Sequence, residues 1–298
     1  LKQGAVVTTA DRMWIGDNDG VGVTIEDKAS LTVGPVTIKG NGTTSATIQR
    51  NEETKQSADT YGVDNFALTI SNADVEVTAA ANGTTISNRL IGVSLTNKGE
   101  GTLTADNGYN GYTAINADAG NIDIINANAQ SLSSLSIGAG KTVGVYSVAS
   151  APAAPTSADE ATVTTSSLTV GGANAKLNAN LELANGATVT MAEALTMGST
   201  VTLGTGMKLN GALLDSVTGL TAGKTVDLFT GVDGLTLGST SYDANTTLEL
   251  GKETLGSYFG NVTKPDIYLG YSGGKVYAGV ISVPEPTTAT LSLLALAA

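Results

Sequence analysis

The chain contains no cysteine and no histidine. The first absence removes disulfides and thiolate chemistry. The second removes the usual general base and the commonest metal ligand. Aromatic residues make up only 4% of the 298 positions, and charged residues 14%. So few rings argue against the stacked aromatic platforms that sugar sites use, and Trp14 is the only tryptophan. Basic residues are outnumbered, for a net charge of −12. A phosphate backbone requires Lys and Arg, so nucleic acid is excluded as a partner. The low charge density equally argues against a solvated acidic tail.

What remains is Val, Leu, Ile and Ala, with 37 glycines and abundant Ser, Thr and Asn. This composition suits many short strands joined by tight turns. Alternation of apolar and polar residues recurs in "VGVTIED" (21–27), "ASLTVGPVTIKG" (29–40), "NADVEVTAA" (72–80) and "NRLIGVSLTNKG" (88–99). Each run predicts a strand with one buried face.

The stretch from 177 to 213 is more regular. Leu177, Leu183, Val189, Leu195, Val201, Met207 and Leu213 stand six apart, with Met191, Met197, Leu203 and Leu209 as a second row two positions behind. Apolar residues at i and i+2 share one side of a strand. A six-residue period predicts an all-β parallel β-helix or β-solenoid, whose strands stack coil upon coil around this inward row. An evenly spaced β-meander is the alternative. In "NGYNGYTAINADAGNIDIINANAQ" (107–130) Asn recurs at 107, 110, 116, 121, 126 and 128. These positions read as turn residues that tolerate left-handed backbone, ahead of a polar binding ridge.

Four segments follow. Residues 1–148 form an N-terminal solenoid region. Residues 149–160, "SAPAAPTSADE" preceded by Ala149, form a Pro/Ala/Ser linker or loop. Residues 161–282 form a C-terminal solenoid region. It closes in a hairpin, IYLGY–SGG–KVYAGVIS, whose tyrosines are placed to cap the stack. Residues 283–298 form a short helical tail.

Motifs of catalytic appearance lose to simpler readings. "GYSGG" (270–274) matches a nucleophile elbow at Ser272, but that elbow needs a strand-to-helix turn and a histidine. "AGKTV" occurs at 139–143 and 222–226 without the leading glycine of a phosphate loop, and reads as a recurrent turn. "GDNDGVGVTIED" (16–27) gathers Asp17, Asp19, Glu26 and Asp27. It is the best place to look for Ca²⁺, although a solvated turn explains it. The carboxylates Glu52, Glu53 and Asp266, and Tyr109 and Tyr112, form no recognisable constellation. The N-x-Ser/Thr sites at Asn41, Asn82, Asn245 and Asn261 receive no function in a chain so rich in Asn and Thr.

The tail carries an address. Ala289–Ala298 is uncharged and reaches only about 15 Å as a helix, against a bilayer core of about 30 Å. Pro284 and Pro286 make it a poor last strand. Val283-Pro284-Glu285-Pro286, followed by an apolar run, resembles the PEP-CTERM sorting signal. The matched residues are Pro284, Glu285 and Pro286, and the rest of the family's helix and its basic cluster do not follow. The resemblance implies export by a Gram-negative bacterium, an exosortase-type processing enzyme as partner, and a place at the outer membrane, cell surface or outside the cell. The start at Leu1 fits removal of a signal peptide. The body is also similar in composition to autotransporter passenger repeats, which favours a right-handed coil, while strict hexads suit a left-handed one too.

Together these readings lead to a non-catalytic structural or adhesive surface protein, without a cofactor unless Ca²⁺. Exopolysaccharide, a host glycan or a second copy of the chain are the partners to expect. A carbohydrate-active β-helix enzyme, of polysaccharide lyase or glycosidase type, is the alternative from another class. A filament subunit joining through open solenoid ends is a third.

Overall fold

Short runs with every second residue apolar become strands that bury one side. The computed structural model describes residues 1–2, 4–9, 22–26, 28–40, 45–50, 68–86, 89–106, 111–156, 158–243 and 245–282. Through them the strands wind into a β-solenoid, as the hexads predict.

The first strands form a cap. β1 (Val6–Thr9), β2 (Gly22–Ile25), β3 (Ser30–Val33), β4 (Val36–Gly40) and β5 (Ala46–Arg50) precede β6 (Leu68–Ser71) and β7 (Ala73–Val77). β1 is parallel to β3. β4 and β5 run antiparallel to β3 and β2 on one side and to β7 and β6 on the other. One level therefore runs backwards before the parallel stack begins.

From β6 onward the levels follow one another in parallel on three faces. The first two faces form one continuous sheet. It contains β9 (Arg89–Asn97), β11 (Gly111–Ala117), β13 (Gln130–Leu132), β14 (Ser134–Ile137), β16 (Thr162–Val170), β18 (Asn180–Met191), β20 (Thr200–Leu203), β21 (Lys208–Asn210) and β23 (Gly234–Leu237). The long strands β16 and β18 serve both faces, with a break in register at the corner between them. The third face is a separate sheet of β8 (Thr84–Ile86), β10 (Leu103–Asp106), β12 (Ile122–Ile125), β15 (Thr142–Val145), β17 (Lys176–Asn178), β19 (Leu195–Met197) and β22 (Thr225–Thr230).

Register reveals the true repeat. Val75, Leu95, Ile115 and Leu135 are successive partners, and Leu168, Val189 and Leu209 continue the same ladder. Most steps are 20 or 21 residues. A hexad step moves the chain to the next face of the same coil, and about three such steps with a corner residue or two complete a turn. All seven members of the six-residue row, Leu177 through Leu213, are buried, as are the four of the second row. They belong to one apolar cluster that runs from Ile25 to Val280.

Two excursions interrupt the period without disturbing it. One occupies the segment predicted as a linker or loop. It leaves after β15 and returns at β16, and β14 still pairs with β16 and β15 with β17 across it. The other contains α1 (Ala212–Thr218), the one α-helix among the described residues, which turns Leu213 and Val217 inward. Here β20 still pairs with β23 and β19 with β22.

The C-terminal end is closed by antiparallel strands. β24 (Thr240–Asp243) folds back on β23. β25 (Leu248–Thr254), β26 (Ile267–Ser272) and β27 (Lys275–Val280) extend the third face from β22. β26 and β27 form the expected closing hairpin. Ser272 pairs with Lys275, so the turn is Gly273-Gly274, both with positive φ (56° and 71°). That two-residue turn matches the twist of the strands and favours glycine at both positions. Tyr271 is buried and donates its hydroxyl proton to the Val232 carbonyl at 3.2 Å. Asn261 imitates a further strand: its Oδ1 accepts from Leu209 N at 2.9 Å and its Nδ2 donates to Leu209 O at 2.6 Å.

Replacing Leu168 by Ala removes one rung of a fully buried ladder and is expected to cost about 2–5 kcal/mol. Replacing its outward neighbour Thr169 by Ala should stay within about 0.5 kcal/mol. Urea denaturation of both variants measures the difference. Equal effects would mean that the ladder is not the core.

Candidate functional site

Most of the expected site residues fall outside the described part of the chain. Asp17, Asp19, Asp27, Glu52, Glu53, Tyr109, Trp14 and the motif Pro284-Glu285-Pro286 lie outside the described residues. Glu26 is held by Lys2 at 3.0 Å. Among the described residues no group of three or more His, Cys, Asp or Glu side chains is placed to hold a metal. Ser272 ends a strand and leads into a hairpin, its hydroxyl 3.5 Å from that of Tyr277. Lys141 and Lys224 lie in turns that enter β15 and β22, two strands of the same face, after glycines of positive φ. Tyr112 is buried in the core. Asp266 is exposed, and Lys264 donates to the Thr218 carbonyl instead.

Of the asparagines at 107–130, Asn121 and Asn126 act as corner staples, as does Asn97 upstream; Asn116, expected in a turn, lies within β11, and Asn107 and Asn110 lie outside the described residues. Asn97 Nδ2 donates to the carbonyls of Gly101 and Asn121, both at 2.8 Å, and its Oδ1 accepts from Gly99 N. Asn121 Oδ1 accepts from Thr142 N on the next level. Asn126 takes a left-handed conformation (φ 51°) and reaches Asp106 at 3.0 Å.

A different group of polar residues does converge, on the outer side of the third face. The outward column there reads Thr104, Asp123, Gly144, Asn178. Gly144 is required: a Cβ would come within 2.3–2.4 Å of the Tyr146 ring. With only hydrogen at that position, Tyr146 lies flat against the strand and is buried. Its hydroxyl accepts from Asn178 Nδ2 at 2.8 Å. The excursion starts immediately beyond Tyr146. Its two ends are held together, since Tyr146 and Glu160 form an antiparallel bridge and Ser147 N donates to the Asp159 carbonyl at 2.8 Å. Asp159 Oδ2 accepts from both the amide and the hydroxyl of Thr156, which holds its carboxyl below the ordinary range.

Glu160 closes the group. It is only 5% exposed, and among the described residues neither carboxylate oxygen has a hydrogen-bond partner of good geometry; the Ser199 hydroxyl, which donates to Asn180 Oδ1, is near enough to favour the ionised form. Asn178 Oδ1 likewise has no hydrogen-bond partner among the described residues. Both side chains converge on Gly198, where a Cβ would stand 2.7 Å from Glu160 Oε1 and 2.9 Å from Asn178 Oδ1. Nearby, Asn180 Nδ2 donates to the Glu160 carbonyl, and Asn180 Oδ1 accepts from the hydroxyls of Ser199 and Thr200.

The electrostatics follow from burial. Desolvation pushes the Glu160 carboxyl up to about 7; Asp233 and Asp159 add to the rise, while Ser199 and Lys176 oppose it. Desolvation alone pushes Asp123 up to about 6. Tyr146 rises to about 12 through burial, with the Asp123 and Glu160 charges adding and the Asn178 bond opposing. The group therefore combines a carboxyl that titrates near neutrality, a second that titrates about a unit lower, a phenol and an amide. Sequence reading missed it because its members lie up to 55 positions apart, between Asp123 and Asn178, and only the winding joins them. The signals present were the lone Tyr146 at a strand end and the acidic residue that closes the Pro/Ala/Ser segment.

The chain matches no protein-family model, no curated protein and no solved structure.

Asp123 has a folded pKa raised above its ordinary value of about 4. The native state thus holds its proton longer than the unfolded chain, and this stabilisation is present at low pH and lost as pH rises from about 4 through about 6. Allowing for partial solvation, the loss should be on the order of 1–2 kcal/mol. Asp123→Asn removes it, so the urea midpoint plotted against pH should become flatter in that window. An unchanged slope would show that Asp123 titrates as a solvated carboxyl.

Proposed function

We propose that the protein is an exported, non-catalytic surface solenoid that presents a regular hydroxyl and amide face to a glycan. The observation that carries this reading is the outward column on the second face. Thr96, Asn116, Ser136, Thr169, Thr190 and Asn210 are partners on six successive levels, with no charged side chain among them. Beside them run Ser94, Ala114, Ser134, Ser167 and Thr188, with Lys208 at the sixth level. At about 4.8 Å per level the column spans about 24 Å. Such a row offers donors and acceptors at a constant interval to a polymer that repeats along the same axis. The acidic balance of the chain favours a neutral or basic polysaccharide over an acidic one. Thr169→Lys with Thr190→Lys should weaken binding to such a polysaccharide by about tenfold or more while leaving the melting temperature unchanged, because both side chains point outward. Full binding by the double variant would remove the column from the recognition surface.

The sorting role rests on Pro284, Glu285 and Pro286. Expression in hosts with and without an exosortase, followed by mass spectrometry of the surface protein, should show loss of the tail near these residues only where the enzyme is present. Retention in both hosts would overturn that part of the reading.

The enzyme alternative has one observation in its favour. Asp233, Lys176 and Asp159 all lie near enough to Glu160 to act on its charge. A raised carboxyl that acts as acid beside an ionised one is what glycosidic chemistry employs, and Glu160 is raised while Asp159 is lowered. Polysaccharide cleavage that is lost in Glu160→Gln would favour this class over display.

A further inference from the structure

We infer that Glu160 is a proton-operated latch for the 147–159 excursion. Protonated, its carboxyl donates to Asn178 Oδ1 and holds the root of the excursion against the third face. Ionised, it lets that root go.

The geometry sets up the switch. Two unpartnered acceptors, Glu160 Oε1 and Asn178 Oδ1, stand within 3 Å of one point above Gly198. Leaving both acceptors bare in a buried space costs the desolvation of each, and a proton on Glu160 lets its carboxyl donate across that space. As it is oriented, the Asn178 amide turns its nitrogen to Tyr146 and its oxygen toward Gly198, so it presents no proton to Glu160. Glu160 can supply one, as a carboxylic acid. One carboxylate is too few for a hard cation, which takes six to eight oxygen ligands as Ca²⁺.

The groups that face Glu160 make the ionised state worse. Asp159 lies on its own segment, Asp233 in the turn before β23, and Lys176 on β17 is the one basic group against them. Ser199, beside it, gives its hydroxyl to Asn180. Tyr146, at the end of β15, is an acceptor toward Asn178 and is itself burdened by Asp123. The rise of the Glu160 pKa to about 7 agrees with this arrangement and places the transition near neutrality.

Position gives the switch its consequence. Glu160 sits where the excursion rejoins the coil and bridges to Tyr146, where it departs. Loss of the Glu160–Asn178 bond loosens the root of the loop, which is then held only by backbone bonds such as Ser147 N to the Asp159 carbonyl and Ala161 N to the Val145 carbonyl. The stack beneath keeps its own ladders, because β14 and β15 pair with β16 and β17 independently of it. What opens is the cover over Tyr146, Gly144 and Asn178, while the core stays closed.

Hydrogen exchange of peptides covering 146–161, corrected for the intrinsic pH dependence, tests this. Protection should fall by about tenfold or more between about pH 5.5 and about pH 8.5 in the wild type, while core peptides covering 187–210 remain unchanged. Glu160→Gln, which donates at any pH, should keep protection throughout. Two charge variants serve if that one folds poorly. Asp233→Asn should move the midpoint to lower pH and Lys176→Met to higher pH. Asp123→Asn should leave a transition in place. Protection independent of pH in the wild type would overturn the latch. So would a transition that survives in Glu160→Gln, or a midpoint that neither charge variant moves.

Discussion

An inward side chain at any level touches its equivalent one turn before and one turn after, and this single contact governs the rest. Val75, Leu95, Ile115, Leu135, Leu168, Val189 and Leu209 are rungs of one such ladder. Hydrogen bonds also run between levels, so no level can hold its shape alone. The requirement falls only on the inward positions. Outward positions are released from it, which is how a continuous column of Thr, Ser and Asn can persist over six levels. Corners carry a third demand, for sharp turns and for partners to stray backbone groups. Asn97, Asn121 and Asn126 meet it with side-chain amides. Three classes of position thus account for the odd composition of the chain. Aromatic rings are rare because closely stacked levels have little room for them.

The same contact explains why long insertions do no harm. The closure cost of a loop grows only slowly with length. An insertion at a corner leaves the ladders on either side in register, provided both ends return to the same level. The first excursion secures this by an antiparallel bridge between its ends and by Ala161 N donating to the Val145 carbonyl at 2.8 Å. The second uses an amphipathic helix, mostly exposed, whose Leu213 and Val217 turn into the core. Chemistry collects at the first of these corners because the excursion covers polar residues that the bare solenoid would leave wet. Asn178 and Glu160 are buried by the cover, and their perturbed properties follow from it.

How much of this was legible depends on how local the signal is. The strands and their inward faces follow from alternation, and the hexads at 177–213 gave the parallel stack. The period of a full turn was hidden. Val, Leu and Ile replace one another freely along the ladder, and the two excursions stretch the steps from Leu135 to Leu168 and from Val201 to Leu235. The closing hairpin was readable from SGG, since turn chemistry is local. The reversed level at β4 and β5 was not, because alternation carries no strand direction. The polar group on the third face depends on a glycine, Gly144, whose role is to make room for a ring two positions on. Nothing in its neighbours announces that. Asn178 and Glu160 are unremarkable alone and become a pair only through the winding.

The ends of a solenoid pose the last physical problem, since each exposes a row of unpaired backbone groups. At the C-terminal end the chain answers three times. It folds β24 back over β23, lays β25–β27 beside β22, and sets the Asn261 amide against Leu209. The outermost strand of the third face, β25, carries Glu249, Lys252 and Glu253 and has a break in its register. Charge and irregularity on an edge strand discourage a further strand from adding. Growth from this end by strand addition is therefore opposed by the sequence of the cap itself. A partner approaching the described residues from outside meets the long sides of the stack instead. There the second face offers a uniform polar column, and the third offers a covered polar group at a corner. On these flanks the outward residues are free to vary without cost to the ladder that holds them.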